Sequence, residues 1–139
     1  QMCIRDSGLA ERICSFIDTE TSIPAAGQGV MAVEARSDDK ETLDLISFLH
    51  DSDVASCISA ERAFLAKVGG DCKVPAGIYA VAKDGGIEAH AFIASTDGKR
   101  LYRSKRLAAV SEAVSVGKAL AAELLDAGGR EVLEEMQKI

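Results

Sequence analysis

No stretch of this chain approaches the roughly eighteen consecutive apolar residues that a membrane-spanning helix requires. No basic n-region leads into an apolar h-region, so no secretory signal is visible. Positive charge is scarce: 16 Lys and Arg stand against 22 Asp and Glu, for a net charge of −6 and a sequence pI near 4.9. A nucleic-acid partner asks for a basic patch, and none is present, so neither a nucleic-acid nor a membrane partner is expected. The densest positive run, GKRLYRSKR from Gly98 to Arg106, alternates with apolar residues. It reads as an edge strand whose charges discourage sheet-to-sheet pairing. The four cysteines, Cys3, Cys14, Cys57 and Cys72, form no C-x-x-C, and His50 and His90 stand apart from them in sequence, so no metal site is expected. AAGQGVMA contains neither a G-x-x-x-x-G-K-[ST] nor a G-x-G-x-x-G, which argues against a phosphate loop. With no secretion signal visible, reduced thiols and a cytoplasmic protein are expected.

What is present is an ordinary globular composition. Apolar residues make up 47% and charged residues 27% of 139 positions, enough for one domain with its own core. The first seven residues, QMCIRDS, do not lead naturally into the segment after them and are expected to be a non-native scar at the edge of an incomplete gene. Gly8 to Asp18 has the spacing of a short helix, with Leu9, Ile13, Phe16 and Ile17 on one side. Pro24, Gly27 and Gly29 break any helix, and Val30 to Ala35 alternates as a short strand. SDDKE at 37–41 opens a helix bearing Leu43, Ile46 and Leu49. Asp51-Ser52-Asp53 caps a second helix, with Val54, Ile58, Leu65 and Val68 on one stripe, and Gly69-Gly70 stops it. Cys57 on that helix reads as a small core residue.

After residue 75 the period changes to two. Ile78, Ala80 and Ala82 share one face, Asp84-Gly85-Gly86 signals a hairpin, and Ile87, Ala89, Ala91 and Ile93 share the face of a second strand. Asp97-Gly98 turns into a third strand at Leu101–Arg106. Ser111 is the expected cap of a third helix carrying Val114, Gly117, Ala121 and Leu124. Gly128-Gly129 ends it, and a last short helix holds Val132, Leu133 and Met136. The expected class is α+β: a three-stranded antiparallel sheet with helices on one face.

Two residues stand out chemically. Glu61 sits on the apolar stripe of the second helix, where a buried carboxylate is costly unless it is paired or hydrogen-bonded. It reads as an acid tying the helix to another segment, since no second carboxylate in register completes an acid/base pair. Cys72 lies in GGDCKVPAG, on a glycine-flanked loop. Lys73 and Lys67 favour its thiolate and Asp71 opposes it. No histidine is placed locally as a base, so an attachment point for a group with its own reactivity fits better than a turnover nucleophile. An idle loop thiol is the competing reading.

IPAAGQGVMAVEAR, then SAERAFLAKVGGDCKVPAG, then IYAVAKDGGIEAHAFIASTDGKRLYR resemble the carboxy-terminal part of the porphobilinogen deaminase (hydroxymethylbilane synthase) family. The resemblance runs from about Gly8 to the end. It implies residues 1–36 as the tail of upstream α/β domains and 37–139 as a cofactor-bearing α+β domain. It implies a dipyrromethane cofactor held by Cys72 through a thioether, with Gln28 and Gly29 near the pyrrole-binding cleft and Val30–Ala35 as a strand returning to the first domain. It further implies an enzyme, a transferase that joins four porphobilinogen molecules into hydroxymethylbilane with release of ammonia, in tetrapyrrole (porphyrin, haem) biosynthesis. Its partners would be porphobilinogen and the growing pyrrole chain, and the full-length protein would be a monomer. The family's catalytic aspartate and most of its substrate-binding arginines lie upstream, so no catalytic residue is expected in this chain and it is expected to be inactive alone. Asp71 stands where the family more often has glycine. The reading from another class is a free-standing, non-catalytic α+β binding or regulatory module.

Overall fold

The computed structural model describes residues 8–69 and 74–136. Helix α1 (Lys40–Ile46) starts at Asp39, whose carboxylate accepts the Thr42 N–H at 3.1 Å. It continues as a 3-10 turn over Ser47–Leu49 and buries no residue. Helix α2 (Ser52–Val68) is capped by Asp51, which accepts the N–H groups of Asp53 and Val54. It ends at Gly69, in the left-handed region with φ 101°. Strands β1 (Ala76–Lys83), β2 (Gly86–Ala94) and β3 (Leu101–Ala109) form an antiparallel meander in that order. The β1–β2 hairpin turns through Asp84 and Gly85, both at positive φ, as a two-residue turn of this kind requires. Helices α3 (Ala113–Leu124) and α4 (Arg130–Met136) follow, with a break at Gly128 between them.

The expected α+β architecture is present, and the pleat decides which residues meet the helices. Ile78 and Ala80 of β1 and Ile87, Ala89, Ala91 and Ile93 of β2 face α2 and α3 and are buried. The helices present Phe64, Leu120 and Leu124, all nearly free of solvent. Helix α3 lies so close to α2 that a Cβ built on Gly117 would stand 2.0 Å from the Ala60 carbonyl oxygen. Only glycine permits that approach.

Several expectations are corrected. The inward stripe of α2 is Cys57, Ala60, Glu61, Phe64 and Val68, turned from the expected line, so that Val54 is exposed and Ile58 and Leu65 are half-buried. Cys57 is the core residue expected. The expected helix over Gly8–Asp18 reduces to one 3-10 turn, Ala10–Arg12, because Phe16 and Ile17 find nothing among the described residues to pack on and stay exposed. The expected strand over Val30–Ala35 does not form. A strand needs a neighbour for its backbone groups, none is offered among the described residues, and Met31 is 82% exposed. Ser111 is not the cap of α3: the helix is entered through a 3-10 turn, Val110–Glu112, and the Glu112 carboxylate accepts the Ala109 N–H at 3.3 Å.

Candidate functional site

Gln28 stands exposed between two glycines in the left-handed region, Gly27 at φ 74° and Gly29 at φ 86°. A side chain at either flank would strain the turn, which explains the residue types of the G-Q-G segment. The turn is closed by Gln28 N–H to the Ala25 carbonyl at 3.0 Å and by Ala25 N–H to Gln28 Oε1 at 3.3 Å. It is fastened from outside by Glu61. One carboxylate oxygen accepts the Gly27 N–H at 2.6 Å and the other the Ala80 N–H at 2.8 Å. Glu61 is 5% exposed. Burial pushes its pKa up, and the two N–H donors pull the other way. The carboxylate thus ties helix, strand edge and turn together, the role its position on the apolar stripe suggested.

The thiol of Cys57, one helical turn before Glu61, faces the N–H of Ala82. Four helical residues rise about 6 Å and two strand residues about 6.6 Å. The side chains at 57 and 61 therefore match the outward N–H groups at 82 and 80 and cover the free edge of β1. Burial, reinforced by the nearby Glu61 and Asp53 charges, raises the Cys57 pKa and keeps the thiol neutral.

A cavity of about 370 Å³ opens beside this clamp, lined by Gln28, Gly29, Asp51, Asp53, Val54, Ile58 and Tyr79 among others. Asp51, Asp53 and Glu61 bring acid to it, and among the described residues no Lys or Arg lines it. Acetate and propionate groups on a dipyrromethane would meet like charge here, so this cavity does not by itself fit that group. Cys72, the expected attachment point, lies outside the described residues. The described residues on either side of it are held: Gly69 caps α2, and Val74 and Pro75 tie to β1 and β2 through Ala76 N–H to Val74 O at 2.8 Å and Ala94 N–H to Pro75 O at 2.9 Å. Glu61 is seven residues before Val68, about 10 Å along the helix. Gln28 is thus held beside the middle of the helix that precedes Cys72 in sequence.

A second buried carboxylate escapes sequence reasoning. Glu88 alternates with the core residues of β2 and so reads as solvent-facing, yet it is 6% exposed. His90 Nε2 lies 3.0 Å away, Lys105 Nζ 3.1 Å and Lys83 Nζ 3.6 Å. The hydrogen bonds from His90 and Lys105 lower its pKa to about 2. Glu20, Glu88 and His90 bring three possible ligand atoms within 4.8 Å of one another, but the two lysines already balance the Glu88 charge. The basic run at Gly98–Arg106 is engaged likewise: Arg100 pairs with Glu135, Arg106 with Glu123, and Lys105 with Glu88. No described helix is long and apolar enough to cross a membrane.

The comparisons with known proteins agree on one family. Residues 55–126 match the family model described as porphobilinogen deaminase, C-terminal domain, and residues 3–44 match porphobilinogen deaminase, dipyromethane cofactor binding domain. Curated relatives named porphobilinogen deaminase include that of Syntrophobacter fumaroxidans, 37% identical over 94% of this chain and 42% of its own length. That of Roseiflexus castenholzii is 43% identical over 91% of this chain and 41% of its own. That of Staphylococcus epidermidis is 39% identical over the same shares. The chain spans about two fifths of the length of the curated relatives it matches. Residues 55–126 alone are more than half of it, and the chain belongs to the porphobilinogen deaminase family.

Proposed function

We propose that this chain supplies the cofactor-anchoring part of a transferase that condenses four porphobilinogen molecules into hydroxymethylbilane, releasing one ammonia per coupling, in tetrapyrrole biosynthesis. The observation that carries the reading is the position of Cys72. It lies within the stretch matched to the family's C-terminal domain, directly after the helix that bears Glu61. The matched cofactor-binding family model supports dipyrromethane as the cofactor; its thioether to Cys72 is part of the proposal. The cofactor would supply the pyrrole terminus to which substrate is joined. The chain's own residues would hold and orient. Cys72 anchors, and anchoring converts successive couplings into reactions within one bound complex. The turn at Gln28 and Gly29 would face the pyrrole chain. With acid lining the neighbouring cavity, the cations for its carboxylates would come from the parts of the relatives that this chain does not span. The enzyme would act as a cytoplasmic monomer with reduced thiols, with porphobilinogen and the growing pyrrole chain as its partners.

The test is made on the complete protein. Intact mass should exceed that of the bare polypeptide by the adduct, the protein should colour with Ehrlich's reagent for pyrroles, and Cys72→Ser should remove mass, colour and turnover together. An active protein at bare polypeptide mass, or a Cys72→Ser variant with normal turnover, overturns the reading.

A further inference from the structure

The outer face of the sheet, opposite the helices, carries a strap. Arg103 of β3 donates from Nη1 to the Glu20 carbonyl at 3.2 Å and from Nη2 to the Thr21 carbonyl at 3.2 Å. Lys105, two residues on along the same face, lies 3.9 Å from the Glu20 carboxylate. Further along the strap the Pro24 carbonyl passes over Gly77, where a Cβ would come within 2.9 Å of that oxygen and 2.5 Å of the Phe92 ring. Phe92 is the register partner of both Gly77 and Arg103, so the close crossing and the arginine fork are set side by side by the sheet itself. The strap then reaches Gly27, which Glu61 holds. Two fastenings and a close crossing, on three elements, lie within eight residues, and the turn at Gln28 and Gly29 comes next. Beyond that turn no residue through 36 pairs as a strand.

We propose that Arg103 is a positioning residue: by clamping two consecutive carbonyls of the strap it sets where the turn at Gln28 and Gly29 is presented. The planar guanidinium fork suits this task, because two carbonyls one residue apart need two donors in a fixed plane. A lysine at the same place reaches one of them. The role rests on the reading that Gln28 and Gly29 face the pyrrole chain. The chain it would face is anchored to Cys72, so a loosened turn places that chain's terminus less well for coupling without weakening porphobilinogen binding, and the effect falls on kcat and not on KM.

The experiment compares wild type, Arg103→Ala and Arg103→Lys in the complete enzyme. Steady-state kinetics with porphobilinogen are measured together with amide hydrogen exchange over residues 18–30. Arg103→Ala is expected to lower kcat by about five- to tenfold with KM for porphobilinogen within about twofold of wild type. Exchange over the strap should quicken by about tenfold, and Arg103→Lys should lie between. Unchanged kinetics overturn the positioning role, whether or not exchange quickens. Changed kinetics with unchanged strap exchange overturn it also. Should Arg103→Ala fold poorly, Arg103→Lys, which keeps the stem and the charge, decides by the same two readouts. The two readings fail separately: wild-type protein without adduct or turnover refutes the functional reading, whereas adduct-bearing, active wild type with an indifferent Arg103 refutes only the strap.

Discussion

Glu61 and Ala80 meet across the edge of the sheet, the carboxylate of a helical residue accepting the outward N–H of a strand residue at 2.8 Å. Its other oxygen takes the N–H of Gly27. Both partners are neutral backbone groups rather than a buried cation. Glu61→Ala therefore leaves two N–H groups without their acceptor. The expected loss of stability is about 2–4 kcal/mol, on the scale of hydrogen bonds to a charged group. Urea denaturation checks it, and a midpoint change worth only a few tenths of a kcal/mol would show the clamp to be idle.

Gly117→Ala tests the contact between α2 and α3. Alanine is the better helix former by about 1 kcal/mol, yet its Cβ would stand 2.0 Å from the Ala60 carbonyl oxygen. Backbone must move to admit it, and a net destabilisation of about 1–3 kcal/mol is expected. A stabilised variant would mean that the helices are free to part.

The two buried carboxylates carry opposite pH signatures. Glu88 has its folded pKa lowered to about 2. Its contribution is complete above the unfolded value of 4.5 and is lost as pH falls from there through about 2. Glu61 has its folded pKa raised above 4.5. Its titration favours the folded state below 4.5, and that contribution is lost as pH rises through the raised value. Thermal melts from pH 2 to pH 7 are the check. Glu88→Gln should flatten the acid decline, whereas Glu61→Gln should steepen it. Parallel shifts in both variants would refute the assignment.

By the functional reading, the 139-residue chain alone leaves porphobilinogen unconverted. The cavity beside the turn at Gln28 is acid-lined, and like charge repels a substrate bearing carboxylates. Turnover by purified chain free of host enzyme, measured as porphobilinogen consumption, would contradict this.

Periodicity determined much of the outcome by itself. The switch from helical spacing to alternation after Pro75 predicts the meander, and Asp84-Gly85 predicts its first turn, because few residues tolerate positive φ at both positions. An acid on an apolar stripe already marks Glu61, since such a carboxylate needs donors wherever it lands. The three motifs in order carry the family. Tertiary structure decided the rest. Val54, Ile58 and Leu65 are as apolar as Phe64, and only the close packing of Gly117 on Ala60 chooses which of them turns inward. Glu88 and His90 have the alternation of a solvent-facing row, and Lys83, Lys105 and the Glu20 carboxylate gather around them only once the strands and the strap are in place. Val30–Ala35 has the pattern of a strand and lacks the ladder. Alternation is a property of one segment, but strand pairing and burial are properties of two, and the second segment is found only in three dimensions.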